Sequence, residues 1–297
     1  MGKASRNKRN GSARERVAAQ RAAARRAEVR NRVFLASGAV VVVIAIVVGF
    51  VVFKANHKTP ASTGSATGTT LSASTLNNIA TVPAATLNTV GGGTSNPKSI
   101  TRVTGAPLTS NGKPEMLYIG AEYCPFCAAE RWAMAVALSR FGTFTGVNGI
   151  HSSPTDYAPN TPTLTFYKST YTSKYLTFVP VEEQTVQKAT LQTPTTAQTQ
   201  LIAKYDAPPY VSTANAGSIP FVDFGNRYMI SGASYSPLLL AGKTWAQVAA
   251  ALSTPSSPIA QSVDGTANRI TAAICKLTNN QPASACTPVV KALEAKL

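Results

Sequence analysis

The sequence predicts an α/β domain, a central mixed sheet with flanking helices, preceded by one transmembrane helix. Three observations point there. An uncharged run of 21 residues, Val33–Phe53, follows a basic leader. Strand-like and helix-like apolar patterns alternate from Leu71 onward. The motif Cys124-Pro-Phe-Cys127 stands between a buried-strand pattern and a long apolar helix pattern.

The 297 residues carry a formal charge of +16, although only 13% of them are charged. Much of that charge lies at the start, where eleven Lys/Arg before Phe34 face only Glu15 and Glu28. A basic, Ala-rich run such as Arg14–Arg32 would suit a nucleic-acid-binding helix. The apolar run behind it argues otherwise, because roughly 20 such residues cross the hydrocarbon core. A cleaved leader would have a shorter apolar region and a shorter basic one. Residues 1–32 are therefore expected to be a cytoplasmic tail touching anionic lipid, with no nucleic-acid partner, and residues 33–53 an uncleaved single-pass anchor in the cell membrane. Residues 54–70, rich in Thr, Ser, Gly and Ala, read as a flexible tether. Residues 71–297 then form an extracytoplasmic domain.

Within that domain, Leu71, Leu76, Ile79, Val82, Leu87 and Val90 recur at near-helical spacing, and Pro83 splits them into two short helices. Gly91-Gly-Gly93 precedes no strand–helix unit and reads as a hinge. Leu117, Tyr118, Ile119 and Ala121 make a short buried strand. From Cys127 to Phe141 the only charges are Glu130, Arg131 and Arg140, so this helix belongs inside the domain. Arg140 suits its C-terminal end and Gly142 a left-handed stop. Gly146–Ser153, Thr163–Tyr167 and Lys174–Val181 read as strands. Glu182–Tyr205 is helical in composition, broken at Pro194, and Asp206–Ser218 is a loop rich in Pro, Tyr and Ser. Ile219–Gly232 is a hairpin turning at Gly225-Asn226. Ala246–Ser253, Asn268–Leu277 and Val289–Leu297 are helical, the last two forming a C-terminal hairpin.

The chemistry gathers where the apolar helix begins. A thiol there meets unpaired backbone N–H groups and the positive end of the helix dipole, and both favour the thiolate that attacks disulfides. Cys124 is the expected nucleophile, and Cys127, one turn inside, would resolve the mixed disulfide. Pro125 pre-sets the first helical dihedral without removing a needed donor. Half of a zinc site has the same spacing, with His151 as a conceivable third ligand. The chain offers no second close cysteine pair, so neither metal nor cofactor is expected. Glu122, two residues before Cys124, reads either as a proton relay acting through water or as a solvated turn residue.

The order strand, C-x-x-C, helix, strand, strand, helix, Pro-led hairpin, helix resembles the thioredoxin fold, with a helical insertion before the Pro-led strand. Gly120-Ala-Glu-Tyr-Cys-Pro-Phe-Cys-Ala-Ala-Glu-Arg-Trp-Ala, Leu138-Ser-Arg-Phe-Gly-Thr-Phe, Asn160-Thr-Pro-Thr, Tyr175-Leu-Thr-Phe and Val181-Glu182 are similar to a narrower group. That group is a set of membrane-anchored thioredoxin-like proteins catalogued as domain-of-unknown-function family 929. The resemblance implies that Pro220 is the cis-proline facing the cysteines. It also implies that Ile219, Tyr123 and Phe126 contact an extended substrate. Tyr118 stands where many thioredoxins carry a buried Asp.

Cys275 and Cys286 flank an Asn- and Pro-containing loop and suit a structural staple of the helical hairpin. Four cysteines permit three pairings, and a second redox pair at 275 and 286 is the alternative. Two function classes follow. One is a membrane-anchored thiol–disulfide oxidoreductase acting on exported protein thiols and disulfides together with a redox partner. The other is a non-catalytic binding module of the cell envelope, gripping a peptide through the Asp206–Ser218 loop beside Pro220.

Overall fold

A computed structural model describes residues 68–297. The basic tail, the expected anchor Val33–Phe53 and the tether up to position 67 lie outside the described residues. No helix among the described residues is long and apolar enough to cross a membrane.

The described chain begins with β1 (Thr69–Thr70), α1 (Ala73–Ala80) and α2 (Ala84–Val90). The tether expected to reach residue 70 stops short of it, because Thr69 and Thr70 pair with Gly149 and Asn148. The two short helices part at Pro83 as expected and bury Ile79, Leu87 and Val90. Gly91-Gly-Gly93 is not a hinge. Gly93 has φ +50° and any Cβ on it would collide with the Gln261 carbonyl, so the triplet is a tight crossing that only glycine tolerates.

Next come β2 (Thr101–Arg102), β3 (Thr109–Ser110), β4 (Lys113–Gly120) and the central helix α3 (Pro125–Ser139). Four strands follow, β5 (Gly142–Thr145), β6 (Asn148–His151), β7 (Pro162–Thr165) and β8 (Thr170–Ser173), and then β9 (Thr177–Glu182). The chain continues through α4 (Thr196–Tyr205), β10 (Phe221–Phe224) and β11 (Tyr228–Ser231) to α5 (Trp245–Ala251), α6 (Pro258–Leu277) and α7 (Pro288–Glu294).

The main sheet is mixed. β4 pairs in parallel with β9 and antiparallel with β10, which leads on to β11 and β2. Strand alternation divides the core between the two faces. Met116, Tyr118, Val222 and Phe224 face the larger cluster with α3 and α6. Leu117, Ile119 and Phe221 face the smaller one with Tyr205 of α4. Helix α3 is buried along its length except at Phe126 and Ser139, as its composition requires. Trp132 Nε1 donates to the Pro162 carbonyl at 2.9 Å, and Thr163 donates to the Ala128 carbonyl at 2.8 Å.

Several elements differ from expectation. Glu182–Tyr205 is helical only from Thr196, where Thr195 and Gln198 form a capping box. Glu182 instead ends β9, and the segment after it folds back, Leu191 N–H bonding Glu183 O at 2.8 Å. Gly142 is not a left-handed stop. It begins β5, and any Cβ on it would collide with the Thr172 carbonyl. Arg140 reaches α6 rather than its own helix end, bonding Asn268 at 2.9 Å, Thr271 at 3.1 Å and the Ala285 carbonyl at 2.6 Å. Helix α6 starts ten residues earlier than its apolar spacing suggests, at Pro258 behind an N-cap at Ser257. Gly265, a poor helix former, sits there because α6 crosses the Gly92 backbone, whose carbonyl would lie 2.6 Å from a Cβ. The C-terminal hairpin of α6 and α7 is closed by a disulfide between Cys275 and Cys286.

Candidate functional site: a dithiol at the start of the central helix

Buried strand β4 ends at Gly120, a short turn follows, and α3 starts at Pro125. Cys124 is its N-cap, a position usually held by Ser, Thr, Asp or Asn. Its sulfur takes their place, accepting the Cys127 backbone N–H at 3.2 Å. Both thiols are free, Cys124 5% exposed and Cys127 fully buried beneath it.

The surroundings set the two sulfurs apart. A hydrogen bond from the Cys127 thiol lowers the Cys124 pKa; burial opposes it, while backbone N–H bonds from Cys127 and Phe126 and the Arg131 charge add to the lowering. Burial pushes Cys127 well up. The outer sulfur is thus the readier thiolate.

Pro220 precedes β10 across from the helix start, behind a cis Ile219–Pro220 bond. The Ile219 carbonyl lies 3.7 Å from Cys124 Sγ, within reach of the thiol as donor. Cys124, Phe126 and Ile219 line one cavity of about 790 Å³, whose other walls include Lys98, Asp156 and Tyr210. Val211, Ser212, Asn215 and Ser218 of the Asp206–Ser218 loop line it as well. At the rim, Phe126 stacks on the exposed Tyr157 with ring centroids 5.7 Å apart. Tyr123 turns elsewhere, its ring lying 4.8 Å from Lys188 Nζ.

Glu122 is not a solvated turn residue. It is buried and accepts the Thr165 hydroxyl at 2.8 Å, and burial raises its pKa against that hydrogen bond. His151 packs on Trp245, ring centroids 4.4 Å apart, and no cluster of three or more metal-ligating side chains occurs among the described residues.

Below the thiols lies a group that the sequence reading missed. Arg131 and Glu182 form a fully buried ion pair, Nε to Oε1 at 2.9 Å and Nη2 to Oε2 at 2.6 Å, and Nη2 also donates to the Ala121 carbonyl at 2.7 Å. Burial alone would lower the Arg131 pKa, but Glu182 holds it well above the ordinary value. Glu130 is buried as well and accepts both the backbone N–H and the hydroxyl of Ser234, at 2.8 Å and 3.0 Å. Burial pushes its pKa up to about 7. The signal was present: a charge in a helix that is apolar all round must be buried, and a buried charge requires a partner.

A family model described as domain of unknown function (DUF929) matches residues 99–276. The chain belongs to this family. The match spans the main sheet, the dithiol and most of α6, and it ends at Lys276, before Cys286. No curated protein and no solved structure matches the chain.

Proposed function

We propose that this DUF929 protein is a thiol–disulfide oxidoreductase, its domain held at the outer face of the cell membrane by Val33–Phe53 and acting on exported proteins. The single observation that carries the reading is the N-cap sulfur. Cys124 takes a hydrogen bond from Cys127 N–H at 3.2 Å while its partner thiol lies buried one turn inside. A thioredoxin-like arrangement fits the same facts. Strand β4 leads into the dithiol helix between parallel β9 and antiparallel β10, and Pro220 heads the strand that approaches Cys124.

In the reducing direction, the Cys124 thiolate attacks one sulfur of a substrate disulfide. A Cys124–substrate disulfide forms and the other substrate sulfur leaves as thiolate. Cys127 then attacks Cys124, the intramolecular disulfide closes, and the second substrate thiol is released. Oxidation of a substrate dithiol runs the same steps backwards. The cavity beside Cys124 has room for an extended chain, with Phe126 and Ile219 on its wall.

The test is trapping. In Cys127→Ser, Cys124 can attack but the mixed disulfide cannot be resolved, so disulfide-linked adducts of exported proteins should accumulate. Cys124→Ser/Cys127→Ser should give none. Equal adducts in both variants would remove the redox reading and leave a binding module.

A further inference from the structure

Under Cys127 lie two hydrogen-bond donors that the resting dithiol does not use. Tyr118 is fully buried, and its hydroxyl has no partner among the described residues. Arg131 is also fully buried. Its Nε and Nη2 are spent on Glu182 and Ala121, and its Nη1 has no partner. Native interiors rarely leave such groups unpaired, so each calls for an explanation.

Their placement supplies one. Arg131 follows Cys127 by four residues on α3 and so lies on the same helical face, one turn further in. Its guanidinium carbon is 5.8 Å from the Tyr118 ring centroid. The Tyr118 ring lies back along β4 over Gly120. A Cβ at Gly120 would collide with Tyr118 Oη and sit 3.1 Å from Cys127 Sγ. Hydroxyl and sulfur therefore flank one point, the space that a side chain at 120 would fill. Glycine is what lets the phenol reach beneath the thiol.

We propose that Tyr118 is the hydrogen-bond donor that receives the Cys127 thiolate during resolution, and that Arg131, held by Glu182, is the positioning residue that supplies the balancing charge. The inference rests on the redox reading above. A neutral thiol leaves both donors unsatisfied, and the thiolate gives them an acceptor. Donors fixed in advance and aimed at a developing charge favour the state in which that charge exists. In the step concerned, the bond between Cys124 and the substrate sulfur breaks and the Cys124–Cys127 bond forms. The electron pair leaves on the substrate sulfur, and that departing thiolate takes up the proton that Cys127 lost. The charged or titratable groups around Cys127 are Cys124 and Arg131 on its own helix, Tyr118 on β4, Glu182 on β9 and Tyr123 in the turn, while Glu122 is engaged by Thr165. The positive Arg131 draws the Cys127 ionisation down, against the burial that raises it.

Tyr118→Phe removes only the hydroxyl and keeps the ring. The reduced full-length protein is mixed with the aromatic disulfide 5,5′-dithiobis(2-nitrobenzoate), which releases one coloured thiolate when Cys124 attacks and a second when Cys127 resolves. In Tyr118→Phe the first phase should be unchanged. The second should slow roughly tenfold to a hundredfold, the range for losing one hydrogen bond to a charged group. Its pH midpoint should move upward, while the melting temperature stays level or rises because an unpaired buried hydroxyl has gone. A second phase with the wild-type rate and pH midpoint would overturn the Tyr118 assignment and leave the redox reading intact. No first phase in the wild type would overturn both. The double variant Arg131→Met/Glu182→Gln removes the charge without stranding its partner. It should also raise the second-phase midpoint, and an unmoved midpoint there would overturn the role given to Arg131.

Discussion

Two cysteine pairs sit at opposite ends of helices in this molecule, and they are in different states. Cys124 and Cys127 open α3, where backbone N–H groups point at the sulfur and a cavity lies alongside. Cys275 lies in the last turn of α6 and is bonded to Cys286 just before α7, inside the hydrophobic core. The first pair is free and electrostatically split, one sulfur lowered and the other raised. The second joins two helices and lines no cavity described around the dithiol. Position relative to the helix dipole and to buried charge, rather than spacing alone, separates the free pair from the staple.

The contrast can be broken most forcefully at the ion pair under the first pair. Arg131→Met leaves Glu182 charged and buried, and should cost about 3–5 kcal/mol in urea unfolding. Arg131→Met/Glu182→Leu should recover most of that loss. Equal losses in the two variants would mean that the pair matters by its packing and not by its charge.

The staple is next. Cys275→Ala/Cys286→Ala opens a loop with a sequence separation of 11 and should cost roughly 3 kcal/mol. The rate of Cys124 alkylation by iodoacetamide should stay the same. A change in that rate would show that the two regions communicate.

Glu130 gives a pH-dependent test one turn from Cys127. Its folded pKa is raised to about 7, above the ordinary carboxylate value of 4.5. The folded state therefore holds the proton more tightly, and this contribution to stability is complete below pH 4.5 and is lost as pH rises through about 7. Between pH 5 and 8 the loss should amount to about 2 kcal/mol. Glu130→Gln should flatten that part of the stability–pH curve, and an unchanged slope would contradict the assignment.

The smallest effect sharpens the contrast at the sulfur itself. Iodoacetamide should modify Cys124 with a pH midpoint below the ordinary thiol value, and Cys127 hardly at all. Cys127→Ala removes the largest cause of that lowering, so the Cys124 midpoint should move upward. A midpoint that stays put would assign the lowering to the helix end and Arg131.

Much of the fold was legible because it is written locally. The two short helices parted by Pro83, the strand before the dithiol, the apolar central helix and the hairpin at Gly225-Asn226 all follow from periodicity and turn chemistry over a few residues. Errors came where local preference was overruled. Gly265 and the polar residues near it hid the first half of α6, which is helical because it packs across the Gly91–Gly93 turn. Glu182 read as the start of a helix, yet it ends β9, paired with Gly120 of β4, and its carboxylate meets Arg131 there. Gly142 read as a stop, whereas its smallness serves the β5–β8 pairing.

Of the site, Cys124 and Cys127 could be named from the chain alone, since helix-start chemistry depends on immediate neighbours, whereas Pro220 was named only through the family resemblance. Glu122 could be named but not aimed, because its direction depends on Thr165, 43 residues away. The sulfurs' surroundings belong to long-range packing. Arg131 meets Glu182 across 51 residues only because β9 lies parallel to β4, and the Tyr118 ring reaches Cys127 only because Gly120 leaves the space. Short-range propensity can announce that a thiol stands at a helix entrance. Which buried charges face it is a matter of strand register, and no window of a few residues contains that information.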